Sequence, residues 1–178
     1  LIEDLLTYSR TTTNKSSFQQ VDLKEVVETV KKEMGESIAE KRAVIEVRSL
    51  PVVNGIAFQF RQLFTNLIGN SLKFSRTEVI PHIVMSSEGV AGGESGAPGG
   101  MSPLNFHHII FQDNGIGFEP AYNAKVFDLF QRLHGRSEYS GTGIGLSICK
   151  KIVENHGGMI KADGVPGKGA AFHIYLPR

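Results

Sequence analysis

The sequence predicts an α+β fold, a two-layer α/β sandwich in which a mixed β-sheet carries helices packed on one face. Three observations predict it. Helical signals mark three separate stretches: a capping-box pattern opens about 22–42, and apolar residues recur at helical spacing in 57–74 and 143–156. Period-two alternation falls between and after them, clearest where Phe172, Ile174 and Leu176 alternate with His173 and Tyr175. And 178 residues, 40% of them hydrophobic, suffice for one ordinary domain with a real core and a short appendage.

Taken in order, residues 1–9 (LIEDLLTYS) set Leu1, Leu5 and Tyr8 on one helical line and Ile2, Leu6 and Ser9 on the next. This reads as the end of a helix wanting a partner, and the chain, which starts at Leu1, reads as a fragment of a longer protein. Residues 10–17 are a polar linker. Asp22 then caps a helix, with Glu25 completing a capping-box pattern, and that helix runs to about residue 42. Residues 43–50 look like a strand and 51–54 add a short one. The strong helix 57–74 turns Phe60, Leu63, Phe64, Leu67 and Ile68 to the core. Strands at 79–86 and 105–112 are joined by a connection rich in Gly, Ser and Pro, read as a mobile hairpin insertion without recognisable chemistry. A short helix around 121–127 leads into a polar segment. The helix 143–156 follows, with Ile144, Ile148, Ile152 and Val153 inward and Gly157 as its stop. Strands at 159–163 and 170–176 close the chain.

Composition narrows the function. A formal net charge of +1 gives no basic field to attract nucleic acid or anionic lipid, so no nucleic-acid partner is expected. No apolar run approaches the roughly 18 residues of a membrane span. Cys149 is the single cysteine, so no intramolecular disulfide can form and a reducing, cytoplasmic setting is expected.

Three patches could carry chemistry. Asn66, Asn70 and Lys73 fall at i, i+4, i+7 on the 57–74 helix, within roughly a 60° arc beside its apolar face. An Asn oxygen is a hard ligand suited to Mg²⁺, and Lys supplies a mobile cation for a polyphosphate; an ordinary hydrogen-bonded helix side would look the same. Asp113-Asn114-Gly115-Ile116-Gly117-Phe118 follows an apolar strand, offering one fixed acceptor and a backbone that a flat ligand can approach, although Asp-Asn-Gly is also a plain turn signal. Gly141-Thr142-Gly143-Ile144-Gly145-Leu146 opens a helix, where N–H groups and the helix dipole suit phosphate. It follows a polar loop and not a strand, which argues against a dinucleotide-binding unit, and no P-loop is present.

Together and in this order, the patches resemble the histidine-kinase branch of the Bergerat-type ATPases. FRQLFTNLIGNSLKFS is similar to the N box, DNGIGF to the G1 box, VFDLFQRLH to the F box and GTGIGLSICKKIVENHGG to the G2 region, while GVPGKGAAFHIYLP resembles the closing strand pair. The resemblance implies a Bergerat ATP-binding fold over 18–178 and the end of a dimerisation helix plus linker over 1–17. It implies that ATP and Mg²⁺ bind, with Asp113 accepting from the adenine amino group, Gly117 admitting the base and Asn70 holding the metal. Asn66 and Lys73 would face the phosphates, and Phe74 would border the nucleotide. Gly115, Ile116, Phe130, Gly141, Thr142, Gly143, Gly145, Leu146 and Phe172 would complete the pocket, the lid would span 131–140, and Phe127 and Phe130 would pack its base. Arg132 and Arg136 would neutralise charge on the transferred group, as the catalytic set with Asn66 and Lys73.

The implied activity is that of a protein histidine kinase. It would pass the γ-phosphoryl group to a histidine on an upstream dimerisation domain, with a response regulator receiver domain further along the pathway. The parent protein would be a homodimer, membrane-attached or not, and this fragment a monomer. Relatives that hydrolyse ATP place a glutamate four positions before the metal-binding Asn. Here Asn66 stands there and cannot take up a proton, which favours transfer over hydrolysis. None of the six histidines suits a phosphoacceptor: His82, His107, His108 and His173 fall in strands, His134 in the lid and His156 at a helix end. Two departures stand out. Ala171 precedes Phe172 where Ser or Thr is common, and Ile56 stands where an acidic residue usually precedes the N-box helix. A nucleotide-sensing module without kinase activity and an ATP-hydrolysing conformational clamp remain the alternatives.

Overall fold

The computed structural model describes residues 17–88, 106–131 and 142–178; the seam at 1–9, the linker up to 16, the Gly-rich connection and residues 132–141 lie outside the described residues. In chain order the elements are β1 (Gln19–Asp22), α1 (Leu23–Glu33), α2 (Gly35–Glu40), β2 (Val44–Val47), β3 (Val52–Gly55), α3 (Ala57–Lys73), β4 (His82–Glu88), β5 (Phe106–Asp113), α4 (Gly145–Asn155), β6 (Met159–Val165) and β7 (Gly169–Pro177). Two 3₁₀ turns, Pro120–Tyr122 and Lys125–Phe127, lie between β5 and α4.

Five strands form one mixed sheet in the order β2-β4-β5-β7-β6, with β2 parallel to β4 and the other pairs antiparallel. Alternation does the sorting. Ile83, Met85, Ile109, Phe111, Ile160, Ala162, Phe172, Ile174 and Leu176 join one core with Leu23, Val27 and Val30 of α1, the apolar face of α3, and Ile148, Ile152 and Val153 of α4. All the expected α3 core residues are buried. The other sheet face is polar and aromatic. There His108 Nε2 lies 3.0 Å from His173 Nδ1, and Tyr175 stacks on the His108 ring.

Several expected boundaries move, each for a physical reason. The strand β1 was not expected; it is four residues long with only Val21 fully buried, so it has no alternation to read, and it pairs with β3 outside the main sheet. The helix expected over 22–42 breaks at Met34, whose ψ of 10° leaves the helical region just before Gly35. Asp22 does cap α1, its carboxylate accepting from the Lys24 N–H at 2.8 Å. The strand expected over 79–86 starts at His82 instead, because the Asn114 side chain holds the chain before it: Nδ2 donates to Ile80 O and Oδ1 accepts from His82 N–H. The helix expected over 121–127 resolves into two 3₁₀ turns. Between them Asn123 turns outwards to β6, accepting from the Gly164 N–H and donating to Asp163 Oδ1, which covers part of the sheet's free edge. No described helix is long and apolar enough to cross a membrane.

The N-terminus of α3 has an unexpected fastening. Ile56 offers no side-chain cap. Its backbone N–H donates to Nε2 of His156, the residue that ends α4, at 3.0 Å. His156 Nδ1 lies 2.7 Å from Ile152 O. A carbonyl only accepts and an N–H only donates, so this histidine is neutral with its proton on Nδ1. Burial holds its pKa below the ordinary histidine value.

Candidate functional site

Asp113 ends β5, in register with Ala170 of β7. Its carboxylate is oriented from three sides. Oδ1 accepts from the Gly115 N–H at 2.9 Å and the Ala170 N–H at 3.3 Å, while Oδ2 accepts from the Ser71 hydroxyl at 2.8 Å. Two elements and a turn thus fix one acceptor at the edge of the core. Ser71 was not singled out from the sequence; its position one residue after Asn70, on the same helix as the polar stripe, was the available signal.

The chain around Asp113 passes very close to other backbone. Gly117 has φ +64°, and a Cβ there would sit 2.0 Å from Val165 O. At Gly169, φ is +114° and a Cβ would sit 2.0 Å from Asp113 O. Only glycine fits both places, which lets the β5 loop and the β6–β7 turn press together. Ile116 lies between them: its N–H donates to Phe74 O and its carbonyl accepts from the Gly167 N–H at 2.7 Å. Phe172 is buried beneath, its ring edge-on to Phe111 and Phe127.

Asn66 and Asn70 meet the first turn of α4. The Asn66 Nδ2 donates to Gly145 O at 3.2 Å, and its Oδ1 accepts from Gln62 Nε2. A Cβ on Gly145 would lie 3.8 Å from Asn70 Nδ2 and 3.9 Å from Asn66 Cγ. The helix itself has no side-chain cap, so its leading N–H groups are not taken by one. Lys73 Nζ lies 4.5 Å from the Phe74 ring centroid, a cation–π contact. Thr142 and Leu146 are half-buried close to the same turn, and Gly143 lies against the backbone of Phe130 and Gln131.

Of the two phenylalanines expected at the base of the lid, Phe127 meets Phe172 edge-on and Phe130, with φ +61°, is 56% exposed; residues 132–140 of that lid lie outside the described residues. The residue in register with Asp113 is Ala170, and Ala171, which precedes Phe172, pairs with Gln112. Arg132, Arg136, Gly141 and His134 lie outside the described residues. Ser71, next to Asn70 on α3, bonds Asp113, and Asn66 of the same helix bonds the first turn of α4.

A family model described as "Histidine kinase-, DNA gyrase B-, and HSP90-like ATPase" matches residues 55–178. Among curated proteins, the phytochrome-like protein Cph1 of Synechocystis sp. is 38% identical over 99% of this chain and 22% of its own length. The sensory histidine kinase/phosphatase NtrB of Azospirillum brasilense is 33% identical over 88% of this chain and 38% of its own length. The chain therefore spans well under half of the length of these relatives. Among solved structures, full-length ShkA in complex with AMPPNP superposes with a TM-score of 0.75 at 23% identity, covering 99% of this chain and 35% of that one. That likeness supports the fold.

Proposed function

Since the chain belongs to the histidine kinase-, DNA gyrase B- and HSP90-like ATPase family, we propose that it is the catalytic domain of a sensor histidine kinase, binding Mg²⁺-ATP and phosphorylating a histidine on a dimerisation domain. One observation carries the proposal: the Asp113 carboxylate, oriented by Ser71, Gly115 and Ala170, shares one edge of the fold with Asn66, Asn70 and the uncapped first turn of α4. A flat base and a polyphosphate need those two kinds of site side by side.

In this reading Asp113 accepts from the adenine amino group and the close-packed loop 113–117 takes the ring face. The α4 N–H groups, helped by the helix dipole, receive the phosphates. Asn70 would offer an oxygen to Mg²⁺, a residue type that fits that hard cation, and the ion would offset phosphate charge. Lys73 and Thr142 would add a cation and a hydroxyl for the phosphates, and Arg132 and Arg136 would steady the developing charge. Transfer breaks the bond between the γ-phosphorus and its bridging oxygen while an imidazole nitrogen of the acceptor bonds to that phosphorus, leaving ADP. Asn66 supports transfer over hydrolysis, because an amide cannot draw a proton from water. Residues 1–17 are assigned to the end of the dimerisation helix and 18–178 to the catalytic domain. The parent protein acts as a homodimer with a response regulator downstream, and the fragment by itself is monomeric.

The test is calorimetric titration with a non-hydrolysable ATP analogue, with and without Mg²⁺, on this chain and on Asp113→Ala, followed by phosphotransfer to a histidine-bearing dimerisation domain. Saturable binding lost in Asp113→Ala, and label on the acceptor histidine, are expected. Binding that ignores the mutation would overturn the adenine assignment, and fast turnover without any acceptor would favour a hydrolytic clamp.

A further inference from the structure

A side chain outside all the motifs holds the two backbone segments around Asp113 together. Arg76 lies three residues beyond the end of α3. Its Nε donates to Asn114 O at 2.9 Å and its Nη1 to Gly167 O at 2.9 Å. The first carbonyl belongs to the loop that follows Asp113, the second to the β6–β7 turn. The same two segments are joined again by the Gly167 N–H to Ile116 O bond, and Ile116 is tied back to Phe74 O at the end of α3. Asn114, for its part, is fastened to the start of β4. Helix end, loop and turn therefore form one closed ring of hydrogen bonds with the guanidinium as its charged member.

We infer that Arg76 is a positioning residue for base recognition, fixing the spacing between the loop 113–117 and the turn 165–169 against which the nucleobase would lie. This rests on the adenine reading of Asp113 given above. The physical argument has two parts. First, both Gly117 and Gly169 pack at distances where no Cβ fits, so the spacing of loop and turn admits little slack. Second, the two acceptors are neutral carbonyls on different segments, and a planar fork with several N–H donors reaches both at once. A lysine ammonium is a single strongly hydrated point and would not hold them in one plane. Arg76 is not a catalytic residue, since it reaches the ligand only through the loop it holds.

The experiment compares the native chain with Arg76→Ala, Arg76→Lys and Asp113→Ala, measuring affinity for adenosine, a non-hydrolysable ATP analogue and its GTP counterpart, together with the thermal midpoint. Arg76→Ala is expected to lose about tenfold in affinity for adenosine and for the ATP analogue alike, the scale of one charge-assisted hydrogen bond. Its preference for adenine over guanine should shrink, and Arg76→Lys should restore only part of either. Equal losses with and without phosphates mark an effect on the base. Adenosine affinity within about twofold of native in Arg76→Ala, or a loss confined to the phosphorylated ligands and fully rescued by lysine, would overturn the inference and leave Arg76 a remote cation. Should Arg76→Ala fail to fold, Arg76→Lys carries the same comparison: native affinity and native base preference in it would overturn the fork argument. Binding that survives Asp113→Ala would instead sink the adenine reading, so the two failures are told apart.

Discussion

The Ser71 hydroxyl donates to Asp113 Oδ2 at 2.8 Å, joining residues 42 apart in sequence across the junction of α3 and β5. Ser71 is 4% exposed, so its hydroxyl has little water to turn to and its direction is set by the carboxylate. Replacing it with alanine removes one donor to a charged acceptor while Gly115 and Ala170 keep theirs. Ser71→Ala is expected to weaken binding of an ATP analogue by about three- to tenfold, measured by calorimetry. Unchanged affinity with a lowered thermal midpoint would show that the hydroxyl serves the fold alone.

His156 makes stability depend on pH. It is 6% exposed, packs against Phe60 with ring centroids 4.3 Å apart, and accepts the Ile56 N–H only while neutral. Burial lowers its folded pKa, so the unfolded chain protonates first as pH falls. The contribution is present in full above the unfolded value of about 6.5 and is lost as pH drops towards the folded pKa. His107 and His108 shift in the same direction, also through burial, and add to the slope. His156→Phe keeps a ring but strands the Ile56 N–H, which should cost about 1–3 kcal/mol near neutral pH and flatten the acid limb. Urea titrations across the pH series would measure both, and an unchanged slope would remove His156 from the account.

Cys149 offers a probe of opening. Its side chain is fully buried, with Sγ 3.8 Å from Leu63 O, and burial pushes its pKa up to about 12. The thiolate is the reactive form, so both access and ionisation oppose modification. Alkylation at about pH 8 should be slow in the native chain and fast in denaturant, and bound nucleotide should slow it further by mass action on the folded state. Rapid native labelling would place Cys149 on a segment that opens by itself.

What the sequence could and could not disclose follows from where the information lies. The core face of α3 was readable because Phe60, Leu63, Phe64, Leu67 and Ile68 recur at the helical period and are all buried. The Asp113–Gly117 loop was readable because its geometry demands glycine at a marked place after a strand. Ser71 and Arg76 were not singled out: one bonds a carboxylate far along the chain, and the other bonds backbone carbonyls, which every residue carries. The pairing of Asp113 with Ala170 depended on strand register, and the positive φ of Phe130 is a single backbone angle. Long-range pairing and individual dihedrals leave no periodic trace.

Asn66 gives the sharpest test of how the two halves of the site cooperate. Its Nδ2 donates to Gly145 O at 3.2 Å, so one side chain holds the first turn of α4 against α3. Aspartate has the same shape but no donor. In Asn66→Asp a carboxylate oxygen would face that carbonyl or swing towards the phosphates, and either position is repulsive. Affinity for the ATP analogue should fall by more than about tenfold, while adenosine, which places no charge near α4, should bind almost as in the native chain. Asn66→Ala loses the bond without adding charge and should fall between the two. An equal loss for adenosine and the ATP analogue in Asn66→Asp would mean that the substitution disturbs the base pocket as well. The division of labour between Asp113 and the α3–α4 contact would then have to be abandoned.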